Sequence, residues 1–246
     1  MITSSGYLRG AVCILAIILA LPGHAQQPAT NAPAAAPTIK VPALTPEQVQ
    51  DNEVAARGRE ILQLMQKNDL DGALAKLNDA IKVYPKKPGF YSLRGAVYSR
   101  KSQWPQAEQD FQTGLQLEPD NVVVKFNLVE IKFMQKQYDA ARSGFASLQN
   151  DPDMGDLASY KVFLCDLFGG HEDVAKGELD AFNKAASKPS YYFGNAAWDL
   201  FHKNTEDART WLISASRIYT PQKNEYYASS LRELKYLPLP PPPPKE

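Results

Sequence analysis

The stretch from Phe90 to Asn121, FYSLRGAVYSRKSQWPQAEQDFQTGLQLEPDN, decides the fold. Tyr91, Gly95 and Tyr98 follow one another at intervals of four and three residues, the spacing of one helix face. After Ser102-Gln103 the stripe restarts with Trp104, Ala107, Phe111 and Leu115. Pro105 suits the first turn of a second helix, where an absent N–H costs little. Pro119 stops that helix. The stretch therefore predicts two helices joined by a tight turn. Gly95 and Ala107, both small, are expected to face each other and let the helices cross closely, with Trp104 and Phe111 filling the volume on either side. A lone hairpin of this kind cannot cover its apolar stripe, so it needs neighbours of the same build.

The neighbours are present at a shift of 34 residues. Ala107 corresponds to Ala73, Ala141 and Ala175, and one residue short of the next shift to Ala208. Phe111 corresponds to Leu77, Phe145, Leu179 and Leu212, and Trp104 to Leu70 and Tyr138. Prolines close the units at Pro85, Pro119, Pro152, Pro189 and Pro221. This period and these residues resemble the tetratricopeptide repeat, with its W-x2-L-G-x2-Y, A-x3-F and P pattern. In the second unit Tyr91, Gly95, Tyr98, Ala107, Phe111 and Pro119 carry the match; Tyr91 stands in place of the Trp and Arg94 in place of the Leu. The resemblance covers about residues 53–221. It implies an all-α, right-handed α-solenoid of about five helix-turn-helix repeats. The first unit departs at Arg57 and Glu60, where bulky residues are expected, and the fourth at Glu172 and at Gly169-Gly170. Tyr227, Leu231 and Leu234 share a stripe over 224–237, with Arg232, Glu233 and Lys235 elsewhere, which reads as the polar capping helix a solenoid needs at its open end.

The flanks read differently from the repeats. Residues 1–25 have the plan of a signal peptide: Arg9, an apolar run from Ala11 to Leu21, then Gly23-His24-Ala25 for cleavage after Ala25. That run is too short to span a bilayer. The expectation is an exported, periplasmic or secreted protein without stable membrane insertion after cleavage. Residues 26–46 hold five prolines among alanines and read as a disordered linker. The solenoid is expected over 47–237. Residues 238–246 form a proline-rich tail, of which Pro240–Pro244 must be polyproline II. The formal net charge of zero over 246 residues gives no global field for nucleic acid or anionic lipid.

Little in the chain is suited to catalysis. Past Ala25 there is one cysteine, Cys165, in the apolar run VFLCDLF, where a small buried thiol is expected. His171 and His202 fall near helix ends. No His, Cys, Asp or Glu cluster has metal-ligand spacing, and there is no phosphate-binding glycine loop or nucleophile elbow. The reading is a non-enzyme without cofactor or metal, an enzyme using Cys165 being the least favoured alternative.

What remains is surface. The resemblance implies that first helices line a concave side. The inward candidates for a peptide-binding groove are Arg100; Phe126, Asn127, Glu130 and Phe133; Tyr160, Lys161 and Leu164; and Phe193 and Trp198. Some relatives grip a carboxylate there with Lys, Arg and Asn. Only Asn127 and Lys161 stand at comparable positions, so that function is not carried over. The expectation is a scaffold that binds a protein or peptide partner in this groove, within a cell-envelope assembly. The alternative is a structural module for self-association or for linking complexes.

Overall fold

The computed structural model describes residues 45–184 and 186–238. The expected signal peptide, nearly all of the expected linker and nearly all of the expected proline-rich tail lie outside the described residues. Within them the chain is helical throughout: α1 Pro46–Gln66, α2 Leu70–Val83, α3 Pro88–Arg100, α4 Trp104–Leu117, α5 Val122–Met134, α6 Tyr138–Ala146, α7 Gly155–Gly169, α8 Glu172–Lys184, α9 Pro189–Phe201, α10 Thr205–Ile218 and α11 Pro221–Glu233. Five hairpins and a terminal helix make the α-solenoid. Local chemistry sets the helix starts. Thr45 and Gln48 form a reciprocal capping box on α1. Asp69 and Asn121 accept from the N–H of Gly72 and Val124 at the starts of α2 and α5. Prolines occupy the first turn of α1, α3, α4, α9 and α11.

Each odd-numbered helix from α1 to α9 ends alike. Asn68, Ser102, Lys136, Gly170 and Lys203 all have left-handed backbone, with φ of 59°, 56°, 60°, 90° and 67°. Lys235, at 65°, ends α11 in the same way. The repeat is thus also a repeat of backbone conformation, which α11 shares with the first helices of the units.

The small residues of each second helix are fully buried: Ala73, Ala107, Ala141, Ala175 and Ala208 are each 0% exposed. Leu77, Phe111, Phe145 and Leu179 are buried beside them, while Leu212, Tyr91, Tyr98, Trp104 and Tyr138 are half-buried around the core edge. One expected pairing differs. The space left by the absent Cβ of Gly95 is taken by the Phe111 ring, whose Cε1 would lie 2.8 Å from such a carbon. Gly95 therefore admits an aromatic ring from α4, and a small–small contact with Ala107 is not what sets the approach. Arg94, the departure from the repeat pattern, forms a bidentate pair with buried Asp110 of α4, both bonds 2.7 Å, and donates to Asn78 of α2. Arg57 and Glu60 are also accounted for. The first lies over the Tyr84 ring, its carbon 5.6 Å from the centroid, and the second pairs with Lys76 at 2.7 Å.

The apolar interior falls into two clusters. One runs from Ile61 to Ile131, the other from Phe126 to Leu231. They meet on α5, which gives Val124 and Ile131 to the first and Phe126 and Phe133 to the second. Between those positions α5 carries two buried polar side chains, Asn127 and Glu130.

Candidate functional site

Most of the groove candidates are enclosed. Phe126, Asn127, Glu130, Phe133, Tyr160, Lys161, Leu164 and Phe193 are all 3% exposed or less. They fill the joints between α5, α7 and α9 and the space beneath α11, so they do not form an open wall. Arg100 is half-buried, and its guanidinium closes the end of α1 by donating to the Met65 carbonyl at 2.8 Å and Asn68 Oδ1 at 3.0 Å. Trp198 is half-buried toward α8, with the Lys176 ammonium 5.8 Å from its ring and the His202 ring 4.5 Å away. Arg100 stands apart from the other eight, and Trp198 packs at the edge of the apolar cluster to which five of them belong.

Phe126 and Phe133 are covered by Phe145 of α6, and Glu130 by Lys161 of α7, while α11 lies over Tyr160 and Phe193. A cap packed only on the last hairpin would touch α9 and α10; α11 reaches α7 as well. Tyr227 lies between Tyr160 of α7 and Phe193 of α9, at centroid distances of 5.4 and 5.3 Å. Its hydroxyl donates to Asp156 Oδ2 at 2.7 Å, and Asp156 also accepts from the Ser190 hydroxyl at 2.6 Å. Leu231 is fully buried, and Tyr236 meets Phe168 at 5.6 Å. The helix therefore runs parallel to α7 and α9, along the face the odd-numbered helices share. At its start a cavity of about 250 Å³ opens between Met154 and Leu157 of the α7 end and Gln222, Lys223 and Tyr226 of α11.

Under the end of α11 lies a buried polar group. The Lys161 ammonium meets Glu130 Oε1 at 2.5 Å, with both side chains 3% exposed or less, and sits 4.8 Å from the Phe133 ring centroid. A carboxylate and an ammonium so enclosed must stay paired. Glu233 of α11 brings a second carboxyl close to them. Its stem is partly exposed, yet both its oxygens are occluded and have no hydrogen-bond partner. Burial pushes this carboxyl up to about 8, Glu130 adds to the shift, and Lys161 and Arg232 oppose it. Burial also raises the Tyr160 and Tyr227 phenols well above their ordinary range. At neutral pH, then, Glu233 mostly keeps its proton beside the Lys161–Glu130 pair.

Cys165 is 1% exposed, and its thiol is raised by burial, which suppresses the thiolate that nucleophilic or redox chemistry needs. His202 bridges the Trp198 carbonyl at 2.8 Å and Glu172 at 2.9 Å, and these two partners raise its pKa. His171 Nδ1 lies 3.5 Å from Asp166, which is held chiefly by Arg142 at 2.7 Å. His202 thus ties the end of α9 to α8 of the preceding hairpin, whereas His171 and Asp166 lie within one hairpin. Among the described residues no group of three His, Cys, Asp or Glu could hold a metal, and no helix is long and apolar enough to cross a membrane. The sequence reading missed two features: the Arg94–Asp110 pair, signalled only by Arg94 breaking the repeat, and the docking of α11 on the inner face, signalled by an apolar stripe too strong for a solvated cap.

No family model matches the chain. Two DnaJ proteins of Oryza sativa subsp. japonica, P58IPK homologs A and B, are 28% and 27% identical to it over 101 residues, 41% of this chain. The chain spans about a fifth of those relatives' length, 21% of each. Among solved structures, pilF of Pseudomonas aeruginosa matches with a TM-score of 0.55 at 15% identity, covering 76% of this chain and 88% of that one. PilW, a widely conserved type IV pilus biogenesis factor, matches with a TM-score of 0.54 at 17% identity, covering 74% and 88%. At 15–17% identity the likeness is one of fold.

Proposed function

We propose, on the premise that this chain is a tetratricopeptide-repeat solenoid, that it is an exported scaffold that holds a protein or peptide partner on the face shared by its odd-numbered helices, within a cell-envelope assembly. The single observation that carries the reading is the use of that face. A helix already lies along α7 and α9, with Tyr227 and Leu231 buried, so the surface has the shape and chemistry to hold one. The apolar leader with small residues before Ala25 supports export. The likeness in fold to two pilus proteins supports an envelope setting.

Chemical crosslinking in the native compartment, read by mass spectrometry, tests this. Partner crosslinks should fall on lysines of the odd-numbered helices and their joints, such as Lys101, Lys125 and Lys223. Crosslinks confined to Lys76, Lys82, Lys176 and Lys184 of α2 and α8 would reject the shared face as the binding surface.

A second reading has its own observation. Val83, Leu117 and Ile218, the last residues of α2, α4 and α10, are 57%, 41% and 56% exposed. These three apolar side chains recur at one repeat position and favour contact with another copy. Light scattering across a wide concentration range decides it: a constant monomer mass rejects self-association.

A further inference from the structure

The helix α11 is well anchored at one end of its stripe and poorly satisfied at the other. Tyr227 is held by two rings and a hydrogen bond to Asp156. Toward the other end, Ser230 Oγ and both Glu233 oxygens are occluded without partners, as is Tyr160 Oη beneath them. The groups that face Glu233 are Glu130 from α5, Lys161 and Tyr160 from α7, and Arg232 and Glu225 from α11 itself. Glu130 and Lys161 already neutralise each other, so Glu233 enters a site with no charge left to match it. A buried polar group without a partner costs free energy that a solvated one does not. The face therefore fits a helix of this shape better than it fits this helix.

We propose that the inner face of α7 and α9 is a docking groove for an amphipathic helix of a partner protein, and that α11 is its displaceable internal occupant. This rests on the scaffold reading and narrows it to one surface and one form of ligand. The partner helix carries an aromatic residue at the place of Tyr227, an aliphatic one four residues on at the place of Leu231, and an uncharged hydrogen-bonding side chain at the place of Glu233. Titration of Glu233 supports the weak seat. Its carboxyl is ordinary in a released helix and raised to about 8 in the docked one. The docked state binds the extra proton, so docking is fully favourable below about pH 4.5 and weakens as pH rises toward 8.

Hydrogen exchange on the full chain, expressed as protection factors, is the test. Amides of α11 should be at least tenfold less protected than those of α7 and α9. The gap should widen from pH 5 to pH 8, and Glu233→Gln should remove that widening. A labelled synthetic peptide of residues 221–237 carrying Glu233→Gln should bind a Tyr227→Ala, Leu231→Ala variant at least tenfold more tightly than the unaltered chain. Equal protection of α11, α7 and α9 at both pH values overturns the proposal. So does loss of α7 and α9 protection in the double variant, because α11 is then part of the fold. Absence of peptide binding to a variant that keeps that protection overturns it too. Dimers that form by exchanging α11 would assign the groove to a second copy and overturn the separate partner. Crosslinks on the odd-helix face with α11 fully protected would leave the scaffold standing and remove this inference alone.

Discussion

Phe111 shows how much one ring can hold. It is 0% exposed and occupies the gap that Gly95 leaves in the facing helix. Phe111→Ala should cost about 3–5 kcal/mol, seen as a lower urea midpoint, because the cavity lies between two helices that cannot both collapse into it. Gly95→Ala acts from the other side: a new Cβ 2.8 Å from the ring should cost about 1–3 kcal/mol by forcing the hairpin open. Arg94 and Asp110 give a sharper contrast. Arg94→Leu restores the residue type the repeat pattern favours, yet it strands a carboxylate whose side chain is 5% exposed. It should cost about 3 kcal/mol, and adding Asp110→Leu should recover much of the loss. Chemical denaturation of the two single variants and the double variant checks this, and additive losses would contradict the pairing. Cys165 should react with a thiol reagent only after unfolding. Rapid labelling of the native chain would contradict its enclosed, proton-retaining environment.

At the scale of the helix, the hairpins were legible because their spacing is local. Ala107 and Phe111 lie on one face whatever surrounds them, and a shift of 34 residues finds their counterparts. The joints were not legible in the same way. Asn68, Ser102, Lys136 and Lys203 all take the left-handed conformation, and only Gly170 and, more weakly, Asn68 bear a residue type that announces it. Here the tertiary contacts of the two flanking helices override the preference of the joint residue. Gly170→Ala should therefore cost about 1 kcal/mol in thermal unfolding. Lys136→Gly should be close to neutral, because relief at the joint is offset by a freer unfolded chain. A large loss from Lys136→Gly would mean that its side chain, and not its backbone, sets that turn. The position of α11 was the least legible feature. The stripe of Tyr227 and Leu231 shows that the helix must bury one side, but whether it lies against α10 or across α7 depends on curvature, which no short stretch encodes. The enclosure of Tyr160 and Phe193 follows from the same limit, since a residue facing the inside of the curve cannot be told from one facing a helix laid over it.

Over the whole molecule, two apolar clusters joined at α5 make an array whose halves need not unfold together. Trp104 reports on the first cluster, and Trp198 and Trp211 lie in the second half. In urea, a Trp198→Phe, Trp211→Phe variant should show a lower midpoint than a Trp104→Phe variant, because the first cluster is the smaller. Coincident midpoints would show that α5 couples the halves into one cooperative unit. The number of helices has another result. Successive helices of the array alternate in direction, and α1 and α11 are both of the odd-numbered kind. Among the described residues the count is odd, so the polypeptide enters this ribbon at Pro46 along one border and leaves it past Glu233 along the opposite border. Whatever is fastened through the leading segment is thereby kept a full helix length, about 20 Å, from whatever is reached through the trailing one. By parity alone, the two attachments sit on different sides of the body that separates them.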